Sequence, residues 1–120
     1  MTIRNALAGV AVNDLDKAVA WYAKPLRRDA DQRTMPEVAE FAFPGGRWLQ
    51  VFVDSKRAGN SSVTLAVESL DAEMAALKSA GVRTTEPTRS DYVDTVILND
   101  PDGNQILLAE AKSAANKAAS

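Results

Sequence analysis

Residues Asp100–Glu110 read DPDGNQILLAE, a polar turn running straight into an apolar strand. Asp and Asn bond to nearby backbone, Pro presets φ and Gly supplies a positive φ, so the first five residues all favour one tight reversal. A stretch of the same kind, FPGGRWLQVFV, occupies Phe43–Val53, and a shift of 57 residues lays its Gly46 on Gly103. Upstream of each turn the pattern recurs as well. A shift of 55 residues lays VNDLD (Val12–Asp16) on VESLD (Val67–Asp71). Repetition at such a period marks one supersecondary unit present twice.

Each unit can be read outward from its turn. In the first, the small and β-branched run Ala6–Val12 suits a buried strand. Asn13 and Asp14 then supply capping groups, and Leu15, Ala18, Val19, Tyr22 and Leu26 recur at helical spacing, with Pro25 helping to end the helix. Strands are predicted at Ala30–Thr34, Val38–Phe43 and Arg47–Val53, with Gly45 and Gly46 turning the last pair. The polar segment SKRAGN (Ser55–Asn60) reads as a linker. The second unit has a strand at Ser61–Val67, a cap at Ser69, and a helical stripe of Leu70, Met74, Leu77 and Ala80. Gly81 follows at the position of a left-handed cap, and further strands are predicted at Arg83–Thr85, Tyr92–Asn99 and Gln105–Ala109. The fold class is therefore α+β: two βαβββ units, about residues 5–54 and 61–110, forming one cupped, mostly antiparallel sheet with helices on its convex face. Residues 1–110 make a single domain, and 111–120 are expected to be a flexible tail.

Composition bounds the function. At 120 residues the chain holds one core, and its 46% apolar and 25% charged residues are ordinary for a globular domain. The net charge of −2 offers no electrostatic footprint for nucleic acid. The chain has no cysteine and no histidine, which removes disulfides, thiol catalysis and the commonest metal ligand. The first residues carry an apolar run too short for a secretory signal or a membrane span, so a cytoplasmic location is expected.

VNDLDKAVAWY, the second copy VESLDAEMAALKSAGV and the closing DPDGN together resemble the vicinal oxygen chelate family, which includes glyoxalase I, extradiol dioxygenases, fosfomycin-modifying enzymes and bleomycin-binding resistance proteins. The resemblance spans Ala6–Glu110. It implies a homodimer, and in metal-dependent members it implies four strand positions converging on one divalent ion. Counting from the shared motifs, those positions here are Leu7, Gln50, Ser62 and Leu107. Two leucines have no donor atom, a serine hydroxyl is a weak ligand, and one Gln carbonyl cannot replace the usual carboxylates and imidazoles. No metal and no cofactor is therefore expected, and glyoxalase I or dioxygenase activity is not.

Strand alternation assigns Leu7, Gly9, Ala11, Trp48, Gln50, Phe52, Ser62, Thr64, Ala66, Gln105, Leu107 and Ala109 to the cup side, and a uniformly aliphatic set to the helix side. Mixed aromatic, small and polar residues suit a ligand cup, with candidate contacts Leu7, Trp48, Gln50, Phe52, Ser62, Thr64, Tyr92 and Leu107. The bland alternative is that Trp48 and Phe52 fill a closed core while Gln50 and Ser62 bond to each other. Asp91, Tyr92 and Asp94 form a loop-end group that either binds a cation or is simply solvated. Arg27 and Arg28 either bind an anion or complement the preceding helix. The first functional expectation is a protein binding an organic small molecule, with no role for nucleic acid or membrane. The alternative is a metal-free lyase or isomerase using Gln50, Ser62, Tyr92 and Asp94, its catalytic residues otherwise unknown.

Overall fold

A computed structural model of the chain describes residues 2–112. In chain order the elements are β1 (Leu7–Val12), α1 (Leu15–Leu26), β2 (Gln32–Met35), β3 (Val38–Phe43), β4 (Arg47–Val53), β5 (Ser62–Ala66), α2 (Leu70–Ser79), β6 (Val93–Asn99) and β7 (Gln105–Ala111).

Both helices begin where their capping side chains stand. Asp14 accepts from the Lys17 N–H at 3.1 Å, and Ser69 accepts from the Ala72 N–H at 3.1 Å, each occupying one of the orphan donors of a first turn. The two ends differ. After α2, Gly81 takes φ +75°, with Gly81 N–H donating to the Lys78 carbonyl and Val82 N–H to the Leu77 carbonyl. That is the Schellman arrangement, and Val82 packs on the core as its hydrophobic partner. After α1 the same arrangement is built on Arg27 at φ +55°, while Pro25 lies inside the last turn. The helix thus stops at a left-handed arginine rather than at the proline.

The strands form two hydrogen-bonded sheets, one per repeat. The first has the order β1-β4-β3-β2, with β1 parallel to β4, and the second has the order β5-β7-β6, with β5 parallel to β7. The remaining pairs are antiparallel. The single continuous sheet of the sequence reading is thereby divided at the β1/β5 junction, which is crossed by side-chain bonds such as Ala11 N–H to Ser61 Oγ at 3.0 Å. The predicted strand at Arg83–Thr85 does not form. Pro87 lacks the N–H a ladder needs, and the Thr85 hydroxyl takes the Ile97 N–H at 3.0 Å, leaving only the Thr85–Ile97 backbone bond and a bridge from Thr88 to Thr95. β7 runs two residues past its expected end. The expected flexible tail falls otherwise on 113–120, outside the described residues.

One contiguous core lies between the helices and the sheet faces turned toward them. Val10, Val12, Leu49, Val51, Val96, Leu98, Ile106 and Leu108 come from the strands, Tyr22 and Leu70 from the helices. Val10, Val12, Leu49, Val51, Ile106 and Leu108 are among the residues that alternation assigned to the helix side, whereas Val53, assigned there too, is 36% exposed. Among the described residues no helix is long and apolar enough to cross a membrane.

Candidate functional site

The DPDGN turn does not present a residue to the cup. It turns its polar groups inward, beneath α1. Asp100 is 5% exposed, and its Oδ2 accepts from the Tyr22 hydroxyl at 2.7 Å and the Asn104 amide at 2.8 Å. Its Oδ1 accepts the backbone N–H groups of Asp102 and Asn104, each at 2.9 Å. Asn104, fully buried, also donates to the Ala11 carbonyl and accepts from the Ser61 N–H, both at 2.8 Å. One cluster thereby holds β1, α1, the linker and the last turn. Burial, and then the bond to Asp100, push the Tyr22 phenol far above its ordinary range, so it remains a neutral donor. Nearby, Gly59 at φ +86° lets the linker approach so closely that a Cβ there would stand 2.6 Å from the Asp102 carbonyl oxygen.

The cup side follows from strand register, since directly paired residues share a face. In the first sheet one row runs Leu7, Trp48, Ala42, a second Gly9, Gln50, Glu40, Gln32, and a third Ala11, Phe52, Val38. In the second sheet the rows are Ser62, Gln105, Asn99; then Thr64, Leu107, Ile97; then Ala66, Ala109, Thr95. Seven of the eight candidate contacts are thus on strands that present this side. The eighth, Tyr92, is on the loop before β6 and is 75% exposed. The face is open in the single chain: Leu7 is 44% exposed, Ser62 and Thr64 are exposed, and Trp48, Gln50, Phe52 and Leu107 are half-buried. Phe52 lies against Gly9, whose missing Cβ would meet the ring at 3.2 Å, and the Arg57 guanidinium sits 5.3 Å from the ring centroid. Arg57 is held there by Asp54, 2.8 Å away, and this hydrogen bond holds the Asp54 carboxyl below its usual range.

Two hollows flank the segment that follows α2. One of about 490 Å³ is lined by Met74, Lys78, Val82 and Arg83 on the helix side, and one of about 300 Å³ by Thr85, Ile97 and Asn99, which reaches the cup face. Neither touches Gln50 or Trp48. The cup is a surface of the single chain, not an enclosed cavity.

At the four positions where the resemblance places metal ligands, the donors do not fit an ion. Leu7 and Leu107 bring none, which leaves the Gln50 carbonyl and the weak Ser62 hydroxyl, and the Gln50 side chain donates its Nε2 to Glu40 Oε2 at 3.2 Å. Among the described residues no group of three or more Asp, Glu, His or Cys side chains is placed to share a metal. The expected alternative bond from Gln50 to Ser62 is replaced by this one to Glu40.

The quartet of the enzyme alternative is not assembled. Asp94 has the parity of Val96 and Leu98 and faces the helix side, 5% exposed, where Lys112 at 2.9 Å and Arg89 at 3.0 Å bind it. The Lys112 hydrogen bond, ahead of that from Arg89, holds the Asp94 carboxyl below its usual range. Arg27 pairs with Glu73 on α2 and Arg28 with Asp31. Sequence reading missed Glu40, although a lone carboxylate in the otherwise apolar VAEFAF was the available signal.

A family model described as the glyoxalase/bleomycin resistance protein/dioxygenase superfamily matches residues 5–108. Among solved structures, the glyoxalase/bleomycin resistance protein from Catenulispora acidiphila DSM 44928 is 32% identical with TM-score 0.83, the alignment covering 90% of this chain and 98% of that one. An antibiotic-binding protein from Streptomyces sp. CB03234 is 23% identical with TM-score 0.76, covering 93% and 99% of the two chains. A bleomycin-binding protein solved with bleomycin is 20% identical with TM-score 0.74, covering 92% and 100%. No curated protein matches the chain at a significant level.

Proposed function

Because the chain belongs to the glyoxalase/bleomycin resistance protein/dioxygenase superfamily, we propose that it is a cytoplasmic, metal-independent binding protein that holds an organic small molecule against the cup face of a homodimer. The observation that carries this reading is the pairing of half-buried aromatic and exposed aliphatic walls with donor-poor ligand positions: Trp48, Phe52 and Leu7 lie in the rows of Gln50 and its neighbours, and the Gln50 Nε2 donates to Glu40. Apolar walls with few polar groups are what organic ligands are buried against. Leu7, Trp48, Gln50, Phe52, Ser62, Thr64 and Leu107 would make the contacts, with Tyr92 reaching in from its loop. The bleomycin-bound relative, although only 20% identical, supports small-molecule binding on this architecture.

The openness of the face supports a dimer, since a second chain would cover Leu7, which is 44% exposed. Sedimentation equilibrium should give twice the chain mass, and a strictly monomeric species at micromolar concentration would refute the dimer. Metal independence has its own check. After incubation with nickel, zinc, manganese or iron and desalting, elemental analysis should find far less than one ion per chain, whereas one tightly held ion would overturn it. Ligand binding is tested by thermal shift with bleomycin and a panel of aromatic drugs. Stabilisation that disappears in Trp48→Ala is the expected result; no shift with any compound, or a shift that Trp48→Ala leaves intact, counts against the cup.

A further inference from the structure

The second row of the cup face contains a carboxylate with no cation among the described residues. Glu40, in the middle of β3, is 7% exposed, and the register puts it between Gln50 and Gln32. Gln32 Nε2 donates to its Oε1 at 2.6 Å, and Gln50 Nε2 donates to its Oε2 at 3.2 Å. Among the described residues no Lys or Arg pairs with it, whereas the other strongly buried strand carboxylate, Asp94, has two. A carboxylate removed from water is normally compensated by a positive charge, because hydrogen bonds from neutral amides replace only part of its lost hydration.

The pattern of occupied lone pairs is informative. An ionised carboxylate offers roughly two acceptor sites on each oxygen. Here one site on each oxygen is taken by a neutral amide, which leaves one free site on each. Two parallel N–H groups of a planar cation match such a pair, as they do in fork-shaped guanidinium and amidinium contacts. The neighbouring rows place the indole of Trp48 and the ring of Phe52 on either side, so the body attached to that cation would lie on aromatic surface.

We propose that Glu40 is the recognition point of the cup for a positively charged group, a protonated amine or an amidinium, carried on an aromatic or apolar body. Gln32 and Gln50 orient the carboxylate, and Trp48 and Phe52 hold the body. The assignment rests on the reading of this face as a ligand site, and it narrows the ligand class from organic molecules in general to organic cations.

Benzamidine and benzamide, nearly the same shape and differing in charge, separate the two levels. In a titration followed on the Trp48 indole resonance, benzamidine should bind the full chain about tenfold more tightly than benzamide. Glu40→Gln should remove the preference for benzamidine and bring the two affinities together. In the unaltered protein, rising salt should weaken benzamidine and spare benzamide, a readout that does not depend on the variant folding. Equal affinities, a preference that survives Glu40→Gln, or salt-independent benzamidine binding would overturn the charge assignment alone. If neither compound moves the Trp48 signal, the ligand-site reading fails and this inference with it.

Discussion

Asp100→Ala is expected to lower stability by roughly 3–5 kcal/mol, the range for removing one member of a buried, fully bonded polar cluster. For a chain of this size that is a fall in melting temperature of roughly 10–20 °C. The magnitude follows from what is stranded. The Tyr22 hydroxyl and the Asn104 side-chain amide both lose Oδ2, and the backbone N–H groups of Asp102 and Asn104 lose Oδ1. Tyr22 and Asn104 are completely buried, so water cannot replace the lost acceptor without opening the core. Against a total stability of about 5–15 kcal/mol, such a loss leaves a substantial unfolded fraction at moderate temperature. Tyr22→Phe strands only one acceptor site on Asp100 and should cost about 1–2 kcal/mol. Urea unfolding followed by circular dichroism measures both, and a loss under 1 kcal/mol for Asp100→Ala would show that the cluster does not hold the repeats together.

The same cluster sets an alkaline limit. Tyr22 titrates higher in the folded chain than in the unfolded one, first because it is buried and then because Asp100 accepts from its hydroxyl. Its contribution is therefore complete below the ordinary tyrosine range near pH 10 and is lost as pH rises above it toward the folded value, at about 1.4 kcal/mol per pH unit. Tyr22→Phe should flatten the fall of stability above pH 10. Identical alkaline profiles for the two proteins would contradict the placement of the phenol.

Gly59→Ala should be the second most damaging small substitution, costing roughly 2–4 kcal/mol from positive φ and steric overlap together. The added methyl would meet the Asp102 carbonyl oxygen at 2.6 Å, and that oxygen belongs to backbone in the turn held by Asp100, so it cannot swing aside as a side chain would. Gly46→Ala is the internal control. Gly46 has a similar φ of +75°, but nothing lies within 4 Å of the position its Cβ would take. It should cost only the conformational part, about 1 kcal/mol. Equal losses at the two positions would mean that linker and turn are not in close contact.

Much of this protein is local in its physics and therefore visible in the chain. Alternation in VTLAV and QILLA places Val63, Leu65, Ile106 and Leu108 on one side because strand side chains alternate regardless of the partner strand. Asp14, Ser69 and Gly81 mark helix ends because capping joins residues two to five positions apart. Arg27 escaped because nothing local distinguishes an arginine that must adopt φ +55° from one that continues a helix. The absent strand at Arg83–Thr85 escaped because its β propensity was outweighed by the Thr85 hydroxyl and by Pro87, which act only once β6 lies alongside. Of the candidate site, the cup-facing strand residues were legible from parity, whereas Glu40 acquires its meaning from Gln32 and Gln50 on neighbouring strands.

By itself, then, the amino-acid order determined the duplicated unit, the helix-facing and cup-facing sides of β1, β4, β5 and β7, and the poverty of donor atoms at Leu7, Gln50, Ser62 and Leu107. Tertiary structure alone decided that the DPDGN turn serves Tyr22 and Ala11, that Asp94 is turned away from the cup, and that Glu40 stands there with no Lys or Arg partner among the described residues. The division has one physical reason. Periodicity and capping are written in backbone geometry over a few residues, but the partner of a buried polar group is chosen by packing, here across 78 residues from Tyr22 to Asp100 and 93 from Ala11 to Asn104.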